Sequence, residues 1–255
     1  MKTVSLIGHP KYHQGNRMKK YLLIFAVIFS AGSISSQESS DFPPLIPTVT
    51  NPSVPSPKGF RNFKEVKGDL DGDGTDELLV AYEAEKETDS GKERQVHIFK
   101  KEDNKWKLLK KFTGLLRLSN EGGMMGDPFQ DINIKKGVII IDQSGGTSSH
   151  RWIYVHKFRK QNNSWELIGV TSQDYNMNET SYKYDYNLNT GKVEVEIEST
   201  PTATDKNGET VAVEGDPITK KYSFTLKKKT VLMENFKVGE NEVKIPGKKK
   251  LSFFY

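Results

Sequence analysis

Gln95-Val96-His97-Ile98-Phe99-Lys100-Lys101-Glu102-Asp103-Asn104-Lys105-Trp106-Lys107-Leu108-Leu109 is the stretch that decides the fold. As far as Lys100, β-branched and aromatic residues follow the two-residue period of a strand with one covered face. Glu102-Asp103-Asn104-Lys105 is a turn signal, and Trp106 opens a second strand, so the segment reads as a β-hairpin. The hairpin occurs twice. Val96, His97, Phe99, Asn104, Trp106, Leu108 and Leu109 recur as Val155, His156, Phe158, Asn163, Trp165, Leu167 and Ile168, each offset by 59 residues. Seven matches at one offset mark an internal duplication.

Further strands read outward from it: Asp131-Ile132-Asn133-Ile134, Val138-Ile139-Ile140-Ile141 and Lys192-Val193-Glu194-Val195-Glu196-Ile197-Glu198. Lys135-Lys136-Gly137, Gln161-Asn162-Asn163-Ser164 and Asn189-Thr190-Gly191 supply the turns between them. After Pro57 no segment sustains a 3.6-residue apolar period. The expectation is an all-β domain over 58–255 with two related blade-like modules, about 68–110 and 126–169. A closed propeller needs at least four blades, and about two hundred residues hold about three such modules. Antiparallel hairpins in a twisted sandwich or open barrel are therefore expected, not a complete propeller.

Before the first copy stands Gly68-Asp69-Leu70-Asp71-Gly72-Asp73-Gly74-Thr75-Asp76-Glu77-Leu78-Leu79-Val80. Hard divalent cations take six to eight oxygens, and Asp at alternate positions supplies several from one short loop. Gly72 and Gly74 allow the backbone to turn tightly enough to aim them inward. The loop is not an EF-hand, because the twelfth position, where that motif has a bidentate Glu, is Val80. It feeds a strand instead of a helix.

These residues resemble the calcium loops of FG-GAP and VCBS-type repeats, which read Asp-x-Asp/Asn-x-Asp-Gly-x-x-Asp before a strand. The resemblance implies one calcium site, with side-chain ligands at Asp69, Asp71 and Asp73, a backbone carbonyl at Thr75 and a closing carboxylate at Glu77. Glu77 replaces the usual Asp, and Asp76 is the alternative closing group. From Phe60 to about Gly169 the order of features is also similar to a group of single-domain exported bacterial proteins of uncharacterised function. The features shared are the acidic loop, Gly126-Asp127-Pro128-Phe129, Gly145-Gly146-Thr147-Ser148 before Arg151-Trp152, and Trp165-Glu166-Leu167-Ile168. Gly126-Asp127 reads as an echo of Gly68-Asp69, with too few carboxylates after it for a second cation.

Met18 to Gln37 runs from a basic start through a short apolar core to small residues, the order of a secretory signal peptide. Residues 1–17 show no pattern of their own and are expected to be an upstream extension, with 18–36 the signal peptide. The apolar core is too short for a comfortable membrane span, so none is expected after signal cleavage. Residues 37–57 hold six of the eleven prolines and read as a semi-rigid tether. The net charge of +5 comes from Lys2, Lys11, Arg17, Lys19 and Lys20. Without these five, 33 basic residues face 33 acidic ones, and the basic footprint of a nucleic-acid binder is missing. With no cysteine, disulfides, thiol catalysis and zinc-thiolate sites are excluded.

A second candidate ligand-binding loop lies at Gly145, Gly146, Ser148, Ser149, His150 and Arg151, where a Gly-rich backbone, hydroxyls, an imidazole and a guanidinium suit an anion or a sugar. Serine catalysis there is disfavoured, because adjacent residues on an extended chain face opposite ways. His97 and His156 read as surface or cross-strand packing residues, Trp106 and Trp165 as matching core plugs. The functional expectation is a secreted or periplasmic calcium-binding β module without catalytic residues, meeting a protein or glycan at the cell envelope and no nucleic acid. The alternative is a calcium-dependent hydrolase acting on glycans or peptides. A cleft joining the two loops would favour the hydrolase, and wide separation would favour binding.

Overall fold

The computed structural model describes residues 54–176, 180–208, 210–213, 215–248 and 251–255. Residues 1–53, on which the expected signal peptide and most of the expected tether fall, lie outside the described residues. Among those described the protein is built of antiparallel strands, and its one helical element is a three-residue 3-10 turn, Met233–Asn235. No helix among them is long and apolar enough to cross a membrane.

Strands β1 (Phe60–Gly68), β2 (Glu77–Thr88), β3 (Gly91–Glu102) and β4 (Lys105–Phe112) pair in chain order as a four-stranded meander. Strands β5 (Phe129–Lys135), β6 (Val138–Gly146), β7 (His150–Gln161) and β8 (Ser164–Asn176) do the same. The second meander grows into a seven-stranded sheet by adding β9 (Thr180–Asn187), β10 (Lys192–Ser199) and, beyond β10, β13 (Ile218–Thr225). Two short ribbons complete the set: β11 (Thr202–Thr204) with β12 (Thr210–Ala212), and β14 (Glu242–Lys244) with β15 (Ser252–Phe254). Neither sheet closes into a barrel.

The turns follow from their residues. Asp103 and Asn104 have φ of 47° and 61°, and Asn162 and Asn163 have 49° and 60°. Positive φ at both central residues of a two-residue loop is the type I′ turn, whose twist matches that of the flanking strands. Both repeated hairpins also slip register at the same place, between Ile98 and Phe99 and between Lys157 and Phe158. Leu109 and Ile168 are the residues left unpaired by these bulges. The duplication seen in the sequence is thus a duplication of backbone geometry.

One core lies between the sheets. The first gives it Leu79, Ala81, Val96 and Ile98, the second Ile132, Ile139, Ile141, Phe158, Trp165 and Leu167. The C-terminal segment covers the rest of the larger sheet: Phe236 packs edge-on to Phe158 with centroids 5.2 Å apart, and Phe253 stacks on Tyr184 at 4.7 Å. The other face of β2 carries a smaller cluster of Val54, Leu78, Val80, Tyr82 and Phe99, with Phe60 and Trp106 against it. Covered on both faces, β2 reads as an unbroken apolar run from Leu78 to Tyr82.

Two sequence expectations change here, one of them in part. Of the two roles read for His97 and His156, surface exposure is excluded, for they are buried, at 5 % and 0 % exposure, each among aromatic rings, and His97 packs against Tyr82 of the neighbouring strand. The tryptophans do not match: Trp165 is a core residue, whereas Trp106 is half-buried on the outer face beneath the Lys67 ammonium.

Candidate metal centre

The acidic loop spans the eight residues between β1 and β2. Asp69 organises it: Oδ1 accepts a hydrogen bond from Gly72 N at 2.7 Å, and Oδ2 accepts one from Gly74 N at 3.0 Å. Both glycines lie at positive φ, 81° and 84°, a region that costs most other residues about 1–2 kcal/mol. Asp73 Oδ1 accepts from Thr75 N at 2.8 Å. Leu70, between the first two aspartates, is buried in the main core, so the loop is anchored near its start.

Glu77, the first residue of β2, closes the cluster. Its Oε2 accepts a hydrogen bond from Leu70 N at 2.9 Å, and its side chain is 1 % exposed. Its Oε1 is buried without a hydrogen bond, as is Asp71 Oδ1. Buried carboxylate oxygens are costly to leave unpaired. Asp69, Asp71 and Glu77 each bring one carboxylate oxygen within 4.8 Å of the others, an acidic triad able to hold a metal ion.

Strand alternation explains where this triad lies. Glu77 shares the face of Leu79 and Ala81, Lys100 shares the face of Val96 and Ile98, and Lys160 shares that of Phe158. All three therefore project toward the space between the sheets, at one rim of the core. Lys100 Nζ lies 2.9 Å from Asp71 Oδ2, 2.6 Å from Asp73 Oδ2 and 3.6 Å from Glu77 Oε1. Lys160 Nζ reaches Asp71 Oδ2 at 3.2 Å from the other sheet. The hydrogen bond from Lys100 holds the Asp71 carboxyl below its ordinary range against the opposing effect of burial, and Lys160 adds to the lowering. Asp73 is lowered by Lys100 first and by the Thr75 N–H second. Four carboxyl groups, those of Asp69, Asp71, Asp73 and Glu77, thus gather around the two side-chain amines of Lys100 and Lys160.

Of the residues read as ligands, Asp69, Asp71 and Glu77 come together. Asp73 stands at the edge, with one oxygen on Thr75 N and the other on Lys100. Thr75 and Asp76 are exposed, and it is Glu77, not Asp76, that turns inward. Sequence reasoning missed the two lysines. The available signal was Lys100 itself, a charge on the same strand face as Val96 and Ile98.

Gly126-Asp127 is not the counterpart of Gly68-Asp69. Pairing of the strands makes the β5–β6 turn the equivalent of the acidic loop. Lys67 pairs with Leu78 across ten residues, whereas Ile134 pairs with Ile139 across four, so the first module carries six additional residues at this turn. Asp127 instead precedes β5 and receives the Arg94 guanidinium, which also binds Glu83 Oε2 at 2.6 Å and lies 5.2 Å over the Phe63 ring. Arg94 has no exposed side-chain surface and joins the two sheets at this point.

The second loop resolves into packed and exposed halves. Gly145 and Gly146 end β6, where a Cβ on Gly145 would fall 2.5 Å from the Trp152 ring and 2.8 Å from Gly122. These glycines allow close packing of two chain segments. Ser148, Ser149, His150 and Arg151 are exposed, and His150 Nε2 lies 2.9 Å from Asp174 Oδ1. Among the described residues no hydrogen bond links Ser148 or Ser149 to His150. The acidic loop abuts Gly137 at one end of β6, and Gly145 stands at the other, roughly 25 Å away at the rise of a β-strand. The two loops share no cleft.

No protein-family model, curated protein or solved structure matches the chain.

Proposed function

We propose that the protein is an exported calcium-binding β module with a non-catalytic binding role at the cell envelope, and that the ion fastens the rim of its two-sheet core. The observation that carries this reading is the pair of buried, unbonded carboxylate oxygens, Glu77 Oε1 and Asp71 Oδ1, in an acidic cluster whose carboxyl groups outnumber its lysines. A divalent cation gives both oxygens a partner, and an all-oxygen donor set suits calcium over softer metals. Asp69 and Asp71 belong to the loop and Glu77 to β2, so the ion stiffens the entry to the strand that both apolar clusters share. The FG-GAP-like order of the loop supports the same ion, and the signal-peptide pattern of residues 18–36 supports a secreted or periplasmic location. The distance between the two loops favours binding over hydrolysis.

Calcium is expected to raise the melting temperature of the protein, and chelator to reverse the rise. Asp71→Ala is expected to abolish the response while keeping the β signal in circular dichroism. A wild-type melting temperature indifferent to both calcium and chelator would remove the metal from this account.

A further inference from the structure

We propose that Lys100 is a tethered counter-cation that a divalent ion must displace, which makes this lysine the residue that sets the affinity of the acidic loop. The inference rests on the calcium reading above and concerns how that same site is regulated.

The Lys100 ammonium contacts Asp71 Oδ2 at 2.9 Å and Asp73 Oδ2 at 2.6 Å, and it is the cation nearest to the unbonded Glu77 Oε1, at 3.6 Å. It therefore stands at the mouth of the same oxygen cage that a metal would enter. Two positive centres within one cage repel, so the carboxylates serve the ammonium or the ion and not both. The two partners differ in freedom. Lysine has a flexible four-carbon stem, and this one is 25 % exposed, with solvent available to receive its strongly hydrated head. Glu77 is 1 % exposed and hydrogen-bonded to Leu70 N, so it stays in place. Lys160 reaches Asp71 Oδ2 from the opposite sheet at 3.2 Å, whereas Lys100 contacts Asp71, Asp73 and Glu77 and is the cation that occupies the cage.

Two consequences follow. Without metal, Lys100 keeps the aspartates drawn together, so an arriving ion meets a formed cage and exchanges with an ammonium. A monovalent ion brings no more charge than the lysine it replaces, whereas a divalent ion brings twice as much. The exchange thus weakens binding overall and discriminates by charge.

Calorimetric titration of the full chain with calcium chloride tests this. Lys100→Met is expected to bind calcium at least tenfold more tightly than wild type. A difference below threefold, with wild type binding normally, overturns the role of Lys100 and leaves the calcium reading standing. Absence of binding by both proteins overturns the calcium reading, and this inference with it. Should the methionine variant fail to fold, the wild-type chain carries the test alone: reductive methylation read by mass spectrometry should label Lys100 at least threefold faster with calcium than with chelator. An unchanged labelling rate overturns the exchange.

Discussion

In the meander of β1–β4 the hairpin face bearing His97, Phe99, Trp106 and Leu108 looks away from the core between the sheets. In that of β5–β8 the equivalent His156, Phe158, Trp165 and Leu167 look into it. The first module meets the core through Val96 and Ile98, whose counterparts Val155 and Lys157 lie on the outer side. Two modules related by a two-fold axis between them would bury the same face of each. These are stacked front to back, the relation of neighbouring blades in a radial array. A duplicated sequence thus specifies a duplicated hairpin, while the stacking decides which of its two faces becomes core.

The same contrast holds for the loops. At the equivalent turn the second module needs only Lys136 and Gly137, at φ of 51° and 71°, whereas the first carries six additional residues and four clustered carboxylates. At the other end of the molecule the sheets are joined by Arg94, Glu83 and Asp127, where a guanidinium supplies the positive charge. One rim is closed by a covalently attached cation, the other by carboxyl groups that outnumber their two lysines.

The largest test of this comparison is a pair of matched truncations. Leu167 and Leu108 are repeat equivalents at 2 % and 49 % exposure. Leu167→Ala is expected to cost about 2–5 kcal/mol, through lost burial and the cavity left behind. Leu108→Ala, at a solvent-facing position, is expected to stay within about 0.5 kcal/mol. Urea unfolding of both variants checks this, and equal costs would break the front-to-back stacking.

That asymmetry marks the limit of what the sequence discloses. The hairpins, their type I′ turns and the absence of long helices among the described residues are legible because residue spacing and turn chemistry are local. The gathering of Asp69, Asp71 and Glu77 into a group able to hold a metal ion is legible for the same reason, since loop and strand entry are contiguous. Which face of a duplicated hairpin is buried is not local. Leu108 and Leu167 have the same type of neighbours along the chain, and only packing against a second sheet separates them. Lys100 and Lys160 were missed for a related reason: they lie 29 and 89 residues from Asp71. The apparent echo of Gly68-Asp69 in Gly126-Asp127 failed because pairing of strands, and not order of motifs, defines equivalence.

A smaller effect comes from the two buried imidazoles. Burial lowers His156 from the ordinary 6.5 to about 3, with Arg117 adding to the shift, and lowers His97 to about 4, with Lys111 adding to it. Each binds a proton more readily unfolded than folded, so each contributes stability that is complete above pH 6.5 and is lost as pH falls toward its folded value. His156 is enclosed by Phe158 and Phe236, and neither ring nitrogen has a hydrogen bond. Below about pH 6 it should give the stability curve a slope approaching 1.4 kcal/mol per pH unit. His156→Phe is expected to remove that component, with denaturation midpoints measured from pH 7 to pH 5. His97→Phe is expected to remove nearly the same component over this range, because both folded values lie below it. Identical pH profiles for wild type and His156→Phe would mean that the imidazole reaches solvent in the folded protein.

The smallest effect sharpens the comparison by predicting equality. Asn104 and Asn163 occupy the second central position of the two type I′ turns at φ of 61° and 60°. Asn tolerates this left-handed region because its short polar side chain bonds locally, whereas alanine pays for the contact between Cβ and carbonyl. Asn104→Ala and Asn163→Ala should each cost about 1 kcal/mol, since the penalty arises within the turn and not from what the hairpin packs against. The leucine pair separates the modules by context, and the asparagine pair holds context out. Unequal asparagine costs would show that the surrounding sheet strains one turn more than the other, and the two hairpins would then differ in backbone energy as well as in burial.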